Sequence, residues 1–357
     1  MRKPNARNAT ITDVAREAGV AISTVSAVIN GNKRVSDELA ARVRAAIEKL
    51  QFHPNQLARS LNTQQSKTLA FITPDITNVG FLRIFRAIDA IGRQRGYTLF
   101  LINTDGSIET AQQAVRQVIE LRMAGVFITL SWALSHPQVN VRQVLERGIA
   151  LVGVSGSYAI KEIDCFLWDE EGAGAQLGSY LRRLGHQSVL CVGPTGSRAS
   201  EKRWGGVRKA FEGAEGAAVS ITRTGSYTAE GGYEAVQAAI VAGQRFTAMI
   251  AFNDAVATGA LAALYDHGVS VPNDVSFLSF GDHHRDFSRP KITSMTFDEV
   301  RIAELAANRL IDRIEANVKP PPRHEYLPLQ LSIQPSSQKP VPQSGASIKS
   351  PRKAVKN

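Results

Sequence analysis

The chain has 357 residues, 43% hydrophobic and 21% charged, a composition typical of a globular protein too long for one compact core. It has no apolar run of about 18 residues, and no apolar segment follows its basic N-terminus, which argues against a membrane span and a secretory signal. Its two cysteines, Cys165 and Cys191, lie in apolar runs, so we expect two buried, reduced thiols in a cytoplasmic protein.

The net charge of +10 lies at the two ends of the chain. Residues 1–65 contain ten Lys or Arg against five Asp or Glu, and residues 335–357 contain five basic residues and no acidic one. The 27 basic and 27 acidic residues between these ends balance. This distribution favours a basic head that meets a polyanion over a uniformly basic surface.

The N-terminal region reads as three short amphipathic helices without a strand. Thr10 and Asp13 fit a capping box that begins the first helix, and Gly19 fits its C-terminal stop. A second helix is predicted over residues 22–30 and a third over residues 36–50. The side chains predicted to point inward are Val14, Ala15, Ala18, Val25, Val28, Ile29, Val43, Ile47 and Leu50.

Two short helices joined by a glycine turn and braced by a third form a helix-turn-helix, which presents its second helix to the DNA major groove. A plain three-helix bundle is the alternative. Hydroxyl and amide side chains on the outer face of the second helix, followed by Lys33 and Arg34, favour the DNA-binding interpretation.

From Thr68 onward, apolar runs alternate with amphipathic helices. The predicted strands are TLAFI, YTLFLIN, GVFITL, ALVGV, SVLCVG, TAMIAF and DVSFLSF. The predicted helices cover residues 80–95, 110–122, 171–184, 201–211, 229–242 and 254–267. Apolar strands separated by helices are typical of parallel sheets covered on both faces. We therefore predict two doubly wound α/β lobes, with a ligand cleft beyond the carboxyl ends of their strands.

The patterns separate a helix-turn-helix DNA-binding domain over residues 1–53, a linker over 54–66, a two-lobed ligand-binding domain over 67–333 and a disordered basic tail over 334–357. The family resemblance described below adds a hinge helix to segment 54–66 and a dimerisation role to segment 67–333. The tail is predicted from its Pro, Ser and Lys content.

Several motifs, taken in order, strongly resemble the lactose-repressor/galactose-repressor (LacI/GalR) family of bacterial transcription regulators. They are TITDVAREAGV, STVSAVINGNKRVS and FHPNQLARSL in the head, then GHQSVLCVGP, KRWGGVRKAF, AFNDAVATGA and DVSFLSFGD. The resemblance covers about residues 9–333. It implies a cytoplasmic homodimeric repressor of a pseudo-palindromic double-stranded DNA operator. A small-molecule effector would bind between two lobes like those of periplasmic binding proteins, and the resemblance implies no cofactor, metal ion or enzymatic activity.

The resemblance also assigns contacts to the head. Phosphate contacts would come from Thr10, Thr24, Asn30 and Ser36, with Ser26 and Arg34 on the same polar surface. Base contacts would come from Ile22, Ser23 and position 27. Many members carry arginine at that position, where this chain has Ala27, so its operator should differ at the base pair read there.

The segment 54–63 resembles the family's hinge helix, which is too short to be stable alone in water. Leu61 matches a leucine that wedges into a central minor-groove step, Ala58 packs next to it, and Asn55 precedes them. A simple core leucine is the alternative role for Leu61.

In the lobes, the resemblance assigns effector contacts to Arg203, Tyr227, Asn253 and Asp254, with Phe81 as a weaker candidate. Outside the resemblance, Arg203 would be a surface ion pair, and Asn253 and Asp254 would cap the helix that they precede. A carboxylate of some members aligns with Gly281, leaving Asp282 one place on, and another aligns with Val154 or Ser155. An arginine kept while two carboxylates are lost favours a sugar acid, phosphorylated sugar or other small anion over a neutral sugar.

The helix predicted over 80–95 carries apolar residues that would form either the dimer surface or part of the core: Phe81, Ile84, Phe85, Ile88 and Ile91. Rival functions are a solute-binding protein without a DNA role, an activator of the same family, or an α/β enzyme. No dinucleotide or Walker loop, nucleophile elbow or metal-spaced His/Cys set supports an enzyme. His283, His284 and Asp286 have no spaced partner for a metal site.

Overall fold

A computed structural model describes residues 9–30, 35–52, 66–130, 139–156, 159–194, 198–224, 226–282, 288–316 and 320–341, with only the backbone at Asn30. The chain divides into two compact units, Met1–Ser66 and Lys67–Asn357. We call them the head unit and the lobed unit.

The head unit contains the three predicted helices: α1 (Ile11–Ala18), α2 (Ile22–Asn30) and α3 (Asp37–Lys49). Thr10 and Asp13 form the predicted capping box, and Gly19 ends α1 in the left-handed conformation at φ 61°. One contact that the sequence did not predict stabilises this corner. The Arg42 guanidinium donates to the Ala18 carbonyl oxygen at 2.6 Å and so connects the end of α1 to α3.

The core of the head unit is small and matches the predicted inward faces. The buried apolar residues are Val14, Ala15, Ala18, Val25, Val43, Ala46 and Phe52, and Val28, Ile29, Ile47 and Leu50 pack against them partly buried. Because these apolar side chains recur at helical spacing, α2 packs one apolar face against the core, and its N-terminal residues face solvent.

The lobed unit is built of parallel sheets and covering helices. Its strands are β1 (Thr68–Thr73), β2 (Thr98–Asn103), β3 (Gly125–Thr129), β4 (Ala150–Val154), β5 (Asp164–Trp168), β6 (Ser188–Pro194), β7 (Ala218–Thr224), β8 (Ala248–Ala251), β9 (Ser276–Phe280), β10 (Thr293–Thr296), β11 (His324–Leu327) and β12 (Gln330–Ser332). Its helices are α4 (Val79–Gln94), α5 (Ile108–Glu120), α6 (Arg142–Glu146), α7 (Glu170–Leu184), α8 (Arg198–Phe211), α9 (Ala229–Val241), α10 (Asp254–Asp266) and α11 (Glu299–Glu315).

Two six-stranded sheets define the two lobes. The N-lobe sheet has the order β11-β5-β4-β3-β1-β2, and the C-lobe sheet has the order β12-β10-β9-β8-β6-β7. All described pairings are parallel except β10 with β12. The predicted strands and helices are all present, whereas β5, β7, β10, β11, β12, α6 and α11 were not predicted. The missed strands are short or lie at sheet edges, where the apolar run is weak.

Within the described residues, the chain crosses between the lobes three times, after β5, after β10 and after β11. Helix α11 follows a C-lobe strand but packs on the N-lobe, where Leu310 lies against Gly125. Asp164 of β5 is fully buried and accepts from Arg309 Nε at 2.9 Å, from Arg313 Nε and from the Arg323 backbone N–H at 2.7 Å. These bonds fix α11 to the N-lobe sheet.

The apolar face of α4 belongs to the core of this chain. Ile84 is 2% exposed and Ile88 is fully buried, while Phe81, Phe85 and Ile91 pack partly buried against the same cluster. Ile84 and Ile88 are therefore core residues, while the role of the partly buried Phe81, Phe85 and Ile91 in a dimer surface stays a prediction.

The predicted disorder from residue 334 is wrong for residues 334–341. Ser336 is fully buried, its carbonyl accepts from Phe277 N at 2.8 Å, and its N–H donates to Lys291 O at 3.1 Å. Its hydroxyl donates to Phe277 O at 2.6 Å and accepts from Thr293 N at 2.8 Å. The polar composition suggested solvation, but these polar groups are satisfied by the backbone of the C-lobe sheet. Residues 342–357 lie outside the described residues.

Both cysteines are free and buried, as predicted. Burial raises the pKa of the Cys165 thiol to about 11 and raises that of Cys191 further, so both are protonated at neutral pH. Across the described ranges, no helix has the length and apolar character needed to cross a membrane.

Candidate functional site

A cavity of about 800 Å³ opens in the lobed unit, at the carboxyl ends of the strands of both sheets. Segments after β1, β2, β4 and β5 line it from the N-lobe, and segments after β6, β7, β8, β9 and β10 line it from the C-lobe. The rule for open parallel sheets predicts a ligand site at this edge. Five residues predicted to bind effector lie in its wall: Phe81, Arg203, Tyr227, Asn253 and Asp254.

Arg203 lies in the cavity wall but is only 6% exposed. Its Nε and Nη2 donate to the two carboxylate oxygens of Glu170 at 2.5 and 3.0 Å, and its Nη1 donates to the Phe252 carbonyl oxygen at 2.5 Å. The guanidinium carbon lies 4.3 Å from the ring centroids of both Phe252 and Phe280. The charge of Arg203 is therefore compensated by Glu170, and its guanidinium lies beside two aromatic rings.

Close packing of α7 and α8 brings this pair together. A Cβ atom at Gly174 would collide with the Arg203 carbonyl oxygen, and one at Gly206 would collide with the Glu171 carbonyl oxygen. Glycine at both positions lets the two helix backbones touch, so that Glu170 at the start of α7 reaches Arg203 on α8.

Asn253 has a structural role in this geometry. Its side-chain oxygen accepts from Val256 N at 2.8 Å and caps α10, and its Nδ2 donates to the Tyr227 carbonyl oxygen at 3.2 Å. Both interpretations of this residue remain compatible, because it caps the helix and lies in the cavity wall.

Asp254 places a carboxylate beside Gly281, the position that aligns with a carboxylate of some family members. Gly281 has φ 104°, and a Cβ atom there would collide with the Asp254 carboxylate. The carboxylate therefore occupies the space beside Gly281 that a side chain at that position would need. The Asp254 carboxylate, which follows a different strand, thus replaces in space the carboxylate that is missing at Gly281.

Six aromatic side chains line the cavity: Phe81, Trp168, Tyr227, Phe252, Phe280 and Phe297. Trp168 and Phe297 meet edge to face with ring centroids 5.2 Å apart, and Tyr227 and Phe252 do so at 5.6 Å. The Trp168 indole N–H donates to Ser155 Oγ at 3.1 Å. The wall is therefore mainly rigid and apolar.

Carboxylates are the main charged groups among the described lining residues. Besides Glu170 they are Asp75, Asp105, Glu230, Asp254 and Glu299, whereas Arg203 is the only described lining residue with a permanent positive charge. Glu299 is 6% exposed, and burial raises the pKa of its carboxyl to about 7. The preference for an anionic effector stays a prediction.

The sequence analysis missed Glu170, Glu299, Trp168 and Phe297. Trp168 ends β5 and Glu170 follows it, while Phe297 and Glu299 follow β10. Neither strand was predicted, and both lie where the chain crosses between lobes. Recognising those strands would have placed these residues at the carboxyl edge of the sheets, where the ligand site was expected.

Asp282 lies outside the cavity lining. Its carboxylate forms a 3.7 Å ion pair with Arg83 and lines a separate groove along the outer face of α4. We therefore leave it out of the proposed effector site. His283, His284 and Asp286 are outside the described residues, and within the described ranges no group of three or more His, Cys, Asp or Glu could hold a metal ion.

The predicted DNA-reading residues occupy the outer surface of α2. Ile22 is 48% exposed although it is apolar, and Ser23 is also exposed, while Thr24, Ser26 and Ala27 are half-buried. Exposure of a large apolar side chain at a helix start fits contact with a groove. No acidic residue lies in the first turn of α2.

The remaining predicted DNA contacts divide into two groups. Thr10 and Ser36 are exposed and cap α1 and α3, with Ser36 Oγ accepting from Leu39 N at 3.5 Å. The Asn30 side chain and the whole of Arg34, Asn55, Ala58 and Leu61 lie outside the described residues.

Comparisons with known proteins give one family match in the head unit and one in the lobed unit. A model described as bacterial regulatory proteins, lacI family, matches residues 10–55, and one described as a periplasmic binding protein-like domain matches residues 179–337. The ribose operon repressor of Escherichia coli (strain K12) is 31% identical over 315 residues, covering 86% of this chain and 93% of the relative. The HTH-type transcriptional repressor PurR of Vibrio atlanticus (strain LGP32) is 29% identical over 321 residues, covering 86% and 92%.

The fold also matches a solved structure. The Lac repressor dimer bound to operator and the anti-inducer ONPF superposes with a TM-score of 0.82 and 23% identity, covering 93% of this chain and all of the other. At this identity the likeness concerns the fold: helix-turn-helix head and two parallel-sheet lobes.

Proposed function

Because the chain belongs to the LacI family of bacterial regulatory proteins, we propose that it is a cytoplasmic homodimeric repressor, without enzymatic activity, whose DNA affinity is set by a small molecule in the cavity. The relatives carry the names of repressors, and the structural neighbour is described as a dimer on operator DNA. The observation that carries the proposal is the exposed N-terminal surface of α2 in a basic head, combined with a ligand-sized cavity.

The first turns of α2 are proposed to recognise the DNA sequence. Ile22 and Ser23 are exposed there, so they can meet base edges in the major groove, and Ala27 follows on the next turn. Phosphate contacts are proposed for Thr10, Thr24, Asn30 and Ser36, with Ser26 and Arg34 beside them. Alanine at position 27 cannot make a bidentate contact to guanine, so the base pair opposite it should be read by shape or apolar contact.

The hinge assignment rests on the sequence alone. Asn55, Ala58 and Leu61 would order on DNA beside the hinge of a second chain, with Leu61 inserted into a minor-groove step. Two heads would then read half-sites about one helical turn apart on a roughly palindromic operator.

Control by effector is proposed to act through the three crossovers between the lobes. Trp168, Glu170, Phe297 and Glu299 lie in or beside two of these crossovers and also line the cavity. A ligand that contacts both lobes therefore favours one lobe angle over another. It can shift the operator-binding equilibrium only by its differential affinity for the two states.

Selection of binding sites from random duplex DNA tests the proposed function. The selected sequences should be palindromic, and binding should weaken steeply with salt because phosphate contacts release counterions. Selection with Ala27→Arg should change the preferred base pair in each half-site, whereas Arg301→Ala, an exposed site in the lobed unit, should not change it. Absence of any palindromic preference would contradict the repressor assignment.

The hinge is tested separately. Leu61→Ala should weaken binding to the selected operator far more than binding to random DNA, because only the specific complex contains the kinked step. Equal loss on both DNAs would contradict the wedge role of Leu61 while leaving the head assignment intact.

A further inference from the structure

The lobed unit begins at Lys67, directly after the linker predicted over residues 54–66. The Lys67 carbonyl oxygen accepts from Thr98 N at 2.9 Å, and the next residue, Thr68, begins β1. Lys67 is therefore the point at which the chain of the head unit is attached to the N-lobe sheet. A linker that leaves this residue in a fixed direction has fewer positions to sample than one that leaves it freely.

The side chain of Lys67 is held by the last residue of α11. Its Nζ donates to Glu315 Oε1 at 3.3 Å and lies 4.0 Å from the centroid of the Tyr97 ring. The same carboxylate accepts from the Tyr97 hydroxyl at 3.1 Å and from Arg95 Nη2 at 2.6 Å. Glu315 thus accepts from three side chains at once. We call these four residues the linker anchor: Lys67, Arg95, Tyr97 and Glu315.

Two features distinguish the linker anchor from a single surface ion pair. The Tyr97 ring is 3% exposed and belongs to the core, so its hydroxyl is a fixed reference point. A carboxylate on the last residue of a helix meets the negative end of the helix dipole, which disfavours it. Hydrogen bonds from Arg95, and then from Lys67 and Tyr97, offset this and lower the pKa of Glu315. Exposed charges contribute measurably when several of them form such a network.

The helix that ends at the linker anchor begins at the cavity. Glu299, in the first turn of α11, lines the cavity and is almost fully buried. Nearer the other end, Arg309 and Arg313 bond to the buried Asp164 of the N-lobe sheet. The 17 residues of α11 span about 25 Å. The N-lobe is therefore connected through α11 from the cavity wall to Lys67.

We propose that Glu315 is a positioning residue for operator binding: it orients Lys67 and thereby sets the direction in which each linker of the homodimer leaves its N-lobe. This inference rests on the proposed function, because the direction matters only if two linkers must meet on one operator. Specific binding then needs both linkers in place, whereas non-specific contact of the heads with phosphates does not.

Glu315→Gln tests this role on two DNAs, the selected palindromic operator and random duplex DNA of the same length. It should weaken operator binding by the full chain about fivefold and leave random-DNA binding unchanged or slightly tighter. A pure charge effect has the opposite sign, because removal of a negative charge strengthens attraction to phosphates on both DNAs. Tighter binding to both DNAs would overturn the proposal.

Asp312→Asn is the matched charge control. It removes one negative charge from the same end of α11, where the Asp312 side chain is 64% exposed and lies 3.5 Å from Arg95, and it keeps Glu315. Operator binding should not weaken in this variant. A loss equal to that of Glu315→Gln would assign the effect to the charge of this helix end and contradict the role of Glu315.

Tyr97→Phe tests the same network without a change of charge. It keeps the buried ring, removes one donor to Glu315 and should weaken operator binding about twofold, with random-DNA binding unchanged. Operator binding as tight as that of the wild type would show that the Tyr97 hydroxyl is not the reference point of the linker anchor.

Lys67→Met distinguishes positioning from a direct phosphate contact. If Lys67 acts through the linker, this variant should lose operator affinity about as much as Glu315→Gln, while the salt dependence of random-DNA binding stays the same. Equal loss on both DNAs, with a shallower salt dependence, would make Lys67 a phosphate contact and overturn the proposal.

Amide hydrogen exchange without DNA separates the linker anchor from the repressor assignment. Residues 66–69 should exchange faster in Glu315→Gln than in the wild type or in Asp312→Asn, and unchanged exchange would contradict the anchor. If the wild type selects an operator that Glu315→Gln binds equally well, the positioning role is wrong and the repressor stands. If exchange changes as expected but the wild type selects no palindrome, the repressor assignment fails and the role of Glu315 in operator binding fails with it.

Discussion

The outer surface of α2 and the wall of the cavity both contain residues predicted to bind a partner. The two sets differ in how far they are exposed and in how many bonds they make within the protein. On α2, Ile22 and Ser23 are exposed. In the cavity, Arg203 is 6% exposed and bonded to Glu170, and Asn253 caps a helix. The α2 surface can therefore be substituted with little effect on the fold, whereas the cavity wall includes groups that stabilise it.

A residue that matches a binding motif can thus contribute to a site through the neighbours that it positions. Arg203 bonds to Glu170 and lies beside Phe252 and Phe280, and all three of these residues line the cavity. Substitutions on α2 should therefore change recognition without changing stability, and substitutions at Arg203 or Asn253 should change stability first.

The largest expected effect is at Arg203. Arg203→Ala leaves the Glu170 carboxylate buried without its partner, so the free energy of unfolding of the lobed unit should fall by about 3–5 kcal/mol. Denaturant unfolding measures this loss. Arg203→Ala combined with Glu170→Ala should recover part of it, and exposed Arg301→Ala should cost almost nothing. A loss as small as that of Arg301→Ala would show that the buried pair is dispensable.

The next largest effect is a pH dependence at Glu299. Burial raises the pKa of this carboxyl from 4.5 to about 7, against the opposing charge of Arg83 and with the reinforcing charges of Asp282 and Asp298. Between these values the folded state holds a proton that the unfolded state has lost, so the free energy of unfolding falls as pH rises and levels off above about pH 7.

The gap between the two pKa values corresponds to about 3 kcal/mol. Unfolding in denaturant from pH 4.5 to pH 8 should show this decline, and Glu299→Gln should flatten it. The decline should persist in Glu304→Gln, whose carboxylate is exposed. An unchanged slope in Glu299→Gln would assign the pH dependence to another group.

A smaller effect is expected on α2, and in recognition only. Ala27→Arg should change discrimination at one base pair of each half-site by about 1–3 kcal/mol, through a bidentate contact to guanine. The unfolding free energy should stay nearly constant because Ala27 is only half-buried. Competition binding with single-base operator variants measures the change. A uniform change across all variants would place position 27 against the phosphates instead.

The smallest effect is at Asn253. Asn253→Ala removes the cap of α10 and should lower the free energy of unfolding by about 1 kcal/mol. Asn253→Asp keeps an oxygen that can accept from Val256 and should retain most of the stability. If both substitutions cost the same, the bond to Val256 is not the source of the stability.

The sequence was sufficient where the pattern is local. The capping box at Thr10, the stop at Gly19 and the inward face of α1 all follow from spacing within a few residues, and the structure has each of them. The two lobes and the edge that carries the cavity follow from the alternation of apolar runs and helices.

The sequence was insufficient where contacts join distant segments. The pairing of Arg203 with Glu170 depends on close approach of two helices, and the place of Asp254 beside Gly281 depends on two separate strand ends. The burial of Ser336 depends on free backbone groups in the C-lobe sheet. None of these has a signature within a short window, because each is decided by tertiary packing.

The three crossovers have a consequence for how the protein is made. The N-lobe sheet receives β11 and its covering helix α11 only after the C-lobe strands β6 to β10 have been translated. The C-lobe in turn needs β12 and Ser336, which come later still. Neither lobe can therefore complete its core on the ribosome before nearly the whole chain has emerged, and the head unit, contained in the first 66 residues, is the part that can fold first.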